Sequence, residues 1–294
     1  MTIAASPSTE DEQIPSGSFY RAFLATAASV DLASAPSDPS LVTGADLADL
    51  PDTVQRYLLF MGVLGRPRDW SFQARFTGRF RRGPGQRWMP CQAWQYNTAS
   101  PIARVFHMRA RFWHLVPMVA RDTYVSGHGR MLGKVLDRFT VVDGSGDEFD
   151  IGELSTFLND AVLLAPSMLL GVNTTWNDVD DGAFDVRLSD GPRTVTGRVS
   201  VDDRGAPLDF STTDRFAALS TGLEQAQWST PIKAWTVSRG RPTPTAASAI
   251  WHLPAGPFTY IDGSFQLGSV RYNVGPGGTM SDADVGSSRV RDNP

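Results

Sequence analysis

The sequence predicts an α+β fold made mostly of antiparallel strands. A large curled sheet, half-barrel or barrel-like, wraps a central apolar helix, and short helices stand at the N-terminus. Three observations carry this expectation. From residue 70 onward the hydrophobic period is two in run after run. The runs are separated by short turn signals rather than helical crossovers, as antiparallel connections require. One central stretch, "DIGELSTFLNDAVLLAPSMLL" (150–170), breaks that period and takes helical spacing instead.

Taken in order, residues 1–17 are rich in Ser, Pro and acidic groups, which predicts disorder. "FYRAFLATAASV" (19–30) has near-helical apolar spacing. With the Ser/Pro stretch at 34–40 it makes an N-terminal helical segment and linker over 18–47. In "DLPDTVQRYLLFMGV", Pro51 suits a first helical turn, and Val54, Tyr57, Leu58 and Met61 share a face. "WSFQARFTGRFRR" then alternates. Trp70, Phe72, Ala74, Phe76 and Phe80 point one way, and Gln73, Arg75, Thr77, Arg79 and Arg81 the other.

"GPG" (83–85) reverses the chain and "WMPCQAWQY" is the return strand. Further strands are predicted at 103–112, 121–126, 129–136, 183–189, 194–202, 207–215, 226–238, 248–252 and 258–274. Turn chemistry marks Asp143-Gly144, Asp190-Gly191-Pro192, Asp203-Arg204-Gly205 and Asp262-Gly263. In the central helix Leu154, Leu158, Val162 and Ala165 share a face, and Pro166 ends or kinks it. Residues 48–275 read as a single curled β-domain and 276–294 as a mobile tail. The concave face of such a sheet can enclose an apolar cavity, and a two-sheet sandwich is the competing architecture.

Composition excludes several function classes. The 27 basic and 31 acidic residues nearly balance, so there is no electrostatic case for nucleic acid. No apolar run approaches the ~18 residues of a membrane span. The N-terminus has neither a basic start nor an apolar core, so no secretory signal is read and the cytoplasm is the expected location. A single cysteine, Cys91, excludes an intramolecular disulfide and any Cys-rich metal site. The four histidines form no metal-binding pattern, and no phosphate-binding glycine motif or nucleophile elbow is present. No metal and no cofactor are expected, and the sequence does not specify an oligomeric state.

What remains is an aromatic wall and a few titratable groups. Trp88, Gln92, Trp94 and Tyr96 share one strand face, opposite Cys91, and Phe106 and Met108 share one in the next strand. Core packing explains this row, and so does a cavity wall with a few convergent polar groups. Asp122 and Tyr124 share a face by parity, and His128 follows just past the turn. The expected substrate-binding set is therefore Trp88, Gln92, Trp94, Tyr96, Met108, Asp122 and His128. The candidates for acid/base catalysis are His107, Tyr124 and Asp160, the last because an unpaired carboxylate on an apolar helix is costly.

"LPDTVQRYL" (50–58), "W-x-P-x-Q-A-x-Q" (88–95), "F-x-M-x-A" (106–110), "DTYVSGHGRML" (122–132) and "GELSTFLNDAVLLAP" (152–166) occur in this order, followed by "WSTPIKAW", "IWHLPAGPFTYIDGSF" and "VRYN". Over roughly residues 48–275 the chain resembles a widespread bacterial family of uncharacterised proteins, a domain of unknown function. The resemblance implies a half-barrel similar to that of lipoprotein carriers, and no activity. Met108 stands where the resemblance implies tryptophan, and Asp160 where it implies glutamate.

Three functions fit these observations. One is a cofactor-independent enzyme that holds a bulky hydrophobic molecule in a β-cavity and cyclises or isomerises it, as in natural-product biosynthesis. Another is a non-catalytic carrier or sensor of a lipid-like ligand. The third is a structural or interaction protein with a filled core.

Overall fold

The computed structural model describes residues 18–29, 40–112, 116–136, 138–171, 173–219, 222–238 and 240–276. The segment expected to be disordered (1–17), all of the expected mobile tail (276–294) but residue 276, and most of the Ser/Pro linker lie outside these residues.

Two helices come first, α1 (Ser18–Ser29) and α2 (Asp52–Phe60). A meander follows, in which each strand pairs with the one before: β1 (Ser71–Phe80), β2 (Met89–Ala99), β3 (Ile102–Phe112), β4 (Val116–Val125), β5 (His128–Val135) and β6 (Phe139–Ser145). Helix α3 (Asp147–Leu164) separates it from a second meander, β7 (Thr174–Asp180), β8 (Ala183–Asp190), β9 (Arg193–Val201) and β10 (Pro207–Thr212). A small hairpin of β11 (Phe216–Leu219) and β12 (Gly222–Gln225) comes next. Then come β13 (Gln227–Ser229), β14 (Ile232–Ser238), β15 (Arg241–Leu253) and β16 (Gly256–Tyr272). β16 pairs with β1, and β13 bridges β15 to β10, so both meanders join one 14-stranded antiparallel sheet. One continuous sheet, rather than two packed ones, replaces the sandwich alternative.

The sheet curls. Tyr124 at the end of β4 donates a hydrogen bond to Asp190 Oδ2 at the end of β8, at 2.7 Å, although these strands stand far apart in the sheet order. Asp150 in the first turn of α3 accepts the Gly129 amide of β5 and the Arg193 guanidinium of β9, tying both flanks to one helix. Its acidic first turn (Asp147, Glu148, Asp150) also suits the positive end of the helix dipole.

α3 contacts strands of both halves of the sheet, and nearly all of it is buried. It is not the uniformly apolar helix expected: Glu153, Asn159 and Asp160 are buried with its leucines. It also ends at Leu164 rather than continuing to residue 170. Pro166 disfavours helical conformation at Ala165, and a 3₁₀ turn (Pro166–Leu169) follows. No helix among the described residues is long and apolar enough to cross a membrane.

Several strand boundaries differ from the sequence reading for identifiable reasons. Asp143-Gly144 lies inside β6 and not at a turn. Gly144 is there because a Cβ would stand 2.1 Å from the Phe149 ring. Asp262-Gly263 likewise lies inside β16, where Asp262 is ion-paired with Arg79 of β1. The run 226–238 breaks at Pro231, which has no N–H for a ladder, into β13 and β14.

α2 packs on the second meander. Tyr57 is fully buried near Trp176 and Phe184 and donates to the Val162 carbonyl of α3 at 2.7 Å. The β9–β10 turn presses on this helix at Gly205, which has φ +85° and would place a Cβ 2.4 Å from the Arg56 carbonyl oxygen. Gly205→Ala should therefore cost about 2 kcal/mol or more in urea denaturation. An unchanged midpoint would show that α2 yields to the turn.

Candidate functional site

Between α3 and the inner face of the sheet lies a cavity of about 240 Å³. On α3, Glu153, Thr156, Asp160 and Leu163 recur at helical spacing, so one stripe of the helix faces it. On the strands the period is two: Phe76 and Phe80 of β1, Phe106 and Met108 of β3, and Ala120 and Asp122 of β4. Pairing register puts Gln95, Phe106, Asp122 and Met131 in a single row across β2 to β5. Trp228, Thr230, Ile232, Ala249, Tyr260 and Ile261 supply the far wall.

The end nearest α3 is charged. Arg104 of β3 donates from Nε to Asp160 Oδ2 at 2.7 Å and from Nη1 to Glu153 Oε2 at 2.9 Å, all three side chains being buried. Gln95 donates to the same Asp160 oxygen at 2.6 Å. Asn159 donates to Asp160 Oδ1 at 3.3 Å and accepts from Thr230 at 2.6 Å. Burial alone would lower the Arg104 pKa, but Asp160, Glu153 and Asp122 outweigh it and hold the guanidinium firmly charged. Arg215, just ahead of β11, lies over Trp228 at 4.3 Å and Trp251 at 5.3 Å, with its buried Nε lacking a hydrogen-bond partner.

Two guanidiniums therefore face three carboxyl groups. Among the described residues Asp122 is the carboxyl of these three without an ion pair of its own, and its buried Oδ1 has no hydrogen-bond partner. Burial, with the Glu153 charge adding to it, raises the Asp122 pKa to about 7 against the pull of Arg104 and Arg215. Burial raises Glu153 as well, opposed by the same two arginines. A buried carboxyl that titrates near neutrality and faces an apolar space can hold a proton, move one, or anchor a ligand. Among the described residues no group of three or more His, Cys, Asp or Glu side chains is placed to hold a metal ion.

The structure separates the residues singled out in the sequence. Met108, Asp122 and Asp160 line the cavity. The aromatic row on β2 points the other way. Trp94 and Tyr96 lie on the outer face under α1, with Tyr20 4.5 Å from Trp94 and the Tyr96 hydroxyl donating to the Val274 carbonyl at 2.8 Å. Gln92 on that face lies between the Arg75 and Arg109 guanidiniums, and Trp88 lies beneath those of Arg79 and Arg81. His107 is fully buried against Phe19 and Phe23 of α1, and neither ring nitrogen has a hydrogen-bond partner among the described residues. Burial, helped by Arg121, lowers its pKa to about 4. Tyr124 faces inward but is engaged by Asp190 beyond the cavity, and burial above all pushes its pKa up. His128 is exposed, 3.7 Å from Asp150.

The face of β2 was decidable from register. Phe80 pairs with Met89 and Phe76 with Ala93, and paired residues share a face. The inward set is thus Met89, Cys91, Ala93 and Gln95. Burial raises the Cys91 thiol pKa to about 12, so it stays protonated and inert. Arg104, Glu153 and Arg215 were not anticipated. The available signal was Glu153 and Asp160, seven apart on one face of a buried helix, which together demand a buried cation.

The raised Asp122 pKa has a stability consequence. A carboxyl whose folded pKa exceeds its unfolded value binds more protons when folded, so its contribution is full below about pH 4 and is lost as pH rises through 7. Asp122→Asn lacks this loss. Urea denaturation should show the variant gaining on the wild type by on the order of 2 kcal/mol between about pH 5 and pH 8.5. An identical difference at both pH values would place the Asp122 charge elsewhere.

A model of a family described as "Family of unknown function (DUF6544)" matches residues 40–263. No curated protein matches the chain. Among solved structures, the chain is similar to a β-barrel-like protein of the domain of unknown function DUF1849 from Brucella abortus. The two share 11% identity with a TM-score of 0.23, over 70% of this chain and 98% of that one. At that score the likeness carries no argument.

Proposed function

This chain belongs to DUF6544, a family of unknown function, and from its cavity we propose that it binds a hydrophobic small molecule. In this reading the curled sheet wraps α3, and the space left between them is the ligand site. One observation carries the proposal: an apolar space of about 240 Å³ ends at a buried carboxyl with an unsatisfied oxygen. A filled structural core leaves no space of this size, because interiors are close-packed. The volume is just below the range of roughly 300–1,000 Å³ for drug-sized ligands, so a compact molecule suits it better than a bulky one.

We further propose that the bound molecule is isomerised or cyclised without a cofactor. Positioning in a largely apolar site supports such chemistry, and Asp122 with Glu153 can supply and accept a proton there. His107 and Tyr124 have no part in it, since neither lines the cavity. A carrier or sensor that performs no turnover is favoured by a different observation: Asp160, the remaining acid/base candidate, is already held by Arg104 and Gln95.

Binding can be tested with the uncharged fluorophore N-phenyl-1-naphthylamine. Its fluorescence should rise saturably with the wild-type protein, and Ala249→Trp or Ala120→Leu, each enlarging a wall residue, should weaken binding about tenfold or more. An exposed control, Val237→Ser, should not change it. Absence of saturable binding, or equal binding to all three variants, would contradict a ligand site.

A further inference from the structure

We propose that Asp122 is the polar anchor of the ligand, and that the ligand is an uncharged, largely hydrocarbon molecule bearing a carbonyl oxygen. This rests on the cavity being a ligand site. Asp122 sits mid-row on the cavity wall, between Phe106 of β3 and Met131 of β5, neither of which offers it a polar partner. The charged groups around it come from three other elements: Arg104 of β3, Glu153 and Asp160 of α3, and Arg215 ahead of β11.

Arg104 is committed to Glu153 and Asp160, at 2.9 and 2.7 Å. Asp122 is left as the carboxyl without a direct ion pair, and a carboxyl so placed is neutral more cheaply than charged. In that form it donates a hydrogen bond through its hydroxyl into the cavity. The pKa of about 7 puts the loss of this proton within experimental reach.

Charge balance selects the ligand. With one proton on Asp122, two guanidiniums face two carboxylates. An anionic head group would meet Glu153 and Asp160, and a cationic one would meet Arg104 and Arg215. Either would bring an uncompensated charge into a largely apolar space, whereas a carbonyl dipole brings none. Its oxygen can accept from the Asp122 hydroxyl, and the Arg215 guanidinium, stacked on Trp228 in the same wall, stands beside it. Phe76, Phe80, Trp228, Ile232 and Ile261 are left to cover the hydrocarbon portion.

Five probes of similar shape decide this on the full-length chain by calorimetric titration: 2-acetonaphthone, 1-(2-naphthyl)ethanol, 2-naphthylmethylammonium, 2-naphthoate and 2-ethylnaphthalene. At about pH 6 the ketone should bind roughly tenfold tighter than the hydrocarbon, the scale of one buried hydrogen bond, and both ions more weakly than the ketone. By about pH 8.5, where Asp122 is ionised, most of that advantage should be gone. In Asp122→Asn, whose amide still donates, the ketone advantage should persist at both pH values. The proposal is overturned if an ion or the alcohol binds tightest at the lower pH. It is also overturned if the wild-type ketone advantage is independent of pH, a comparison that needs no variant. If the hydrocarbon and ketone both bind but equally, the cavity stands and the anchor falls. If none of the five binds, the ligand site itself falls.

Discussion

Arg104 is the residue around which the interior is organised. Its guanidinium joins the start of β3 to two carboxylates on α3, with every participant buried. Removing the cation would leave two desolvated anions facing each other, a loss of the order of 3–5 kcal/mol. The bridge also fixes the rotation of the helix. Because Glu153 and Asp160 lie on one stripe, pairing both with Arg104 turns that stripe toward the sheet and sends Leu154, Leu158 and Val162 into the apolar core on the other side. The cavity lies on the Glu153–Asp160 side of α3, and its polar end is the bridge itself.

The two faces of the sheet solve different problems. On the inner face of β2 the residues are small or slender (Cys91, Ala93, Gln95), leaving room before α3. On the outer face Trp94 and Tyr96 are large because α1 covers them with Phe19, Tyr20 and Phe23. His107 belongs to this outer cluster. It is buried as a neutral ring among aromatics, which depresses its pKa and removes it from any proton traffic in the cavity. Sequence neighbours such as His107 and Met108 thus serve opposite sides of one layer.

How much of this was legible in the sequence follows from the range of each interaction. Alternation made β1, β3, β8 and β9 visible, and the helical spacing of Leu154, Leu158, Val162 and Ala165 made α3 visible, because these signals lie within a few residues. β6 and β7 are edge strands: nearly every residue of β6 is exposed, and β7 shows a half-buried face only at Thr174 and Trp176, too short an alternation to mark a strand. Gly144 looked like a turn glycine and is a packing glycine, a distinction that depends on where Phe149 folds back. The aromatic row on β2 was read with correct parity, but parity does not say which side of a sheet is inside. Register with β1 does. The Arg104 bridge crosses 49 and 56 residues of chain, so only the two unexplained acids on α3 could have announced it.

The most direct measurement is a high-resolution crystal structure of the protein purified without added ligand. A ligand site of the kind described predicts compact non-protein density filling the space between Phe76, Trp228 and α3, with an oxygen about 2.6–3.0 Å from an Asp122 carboxyl oxygen. Side chains collapsed into that space, or a chain of ordered waters satisfying Asp122 in its place, would contradict it.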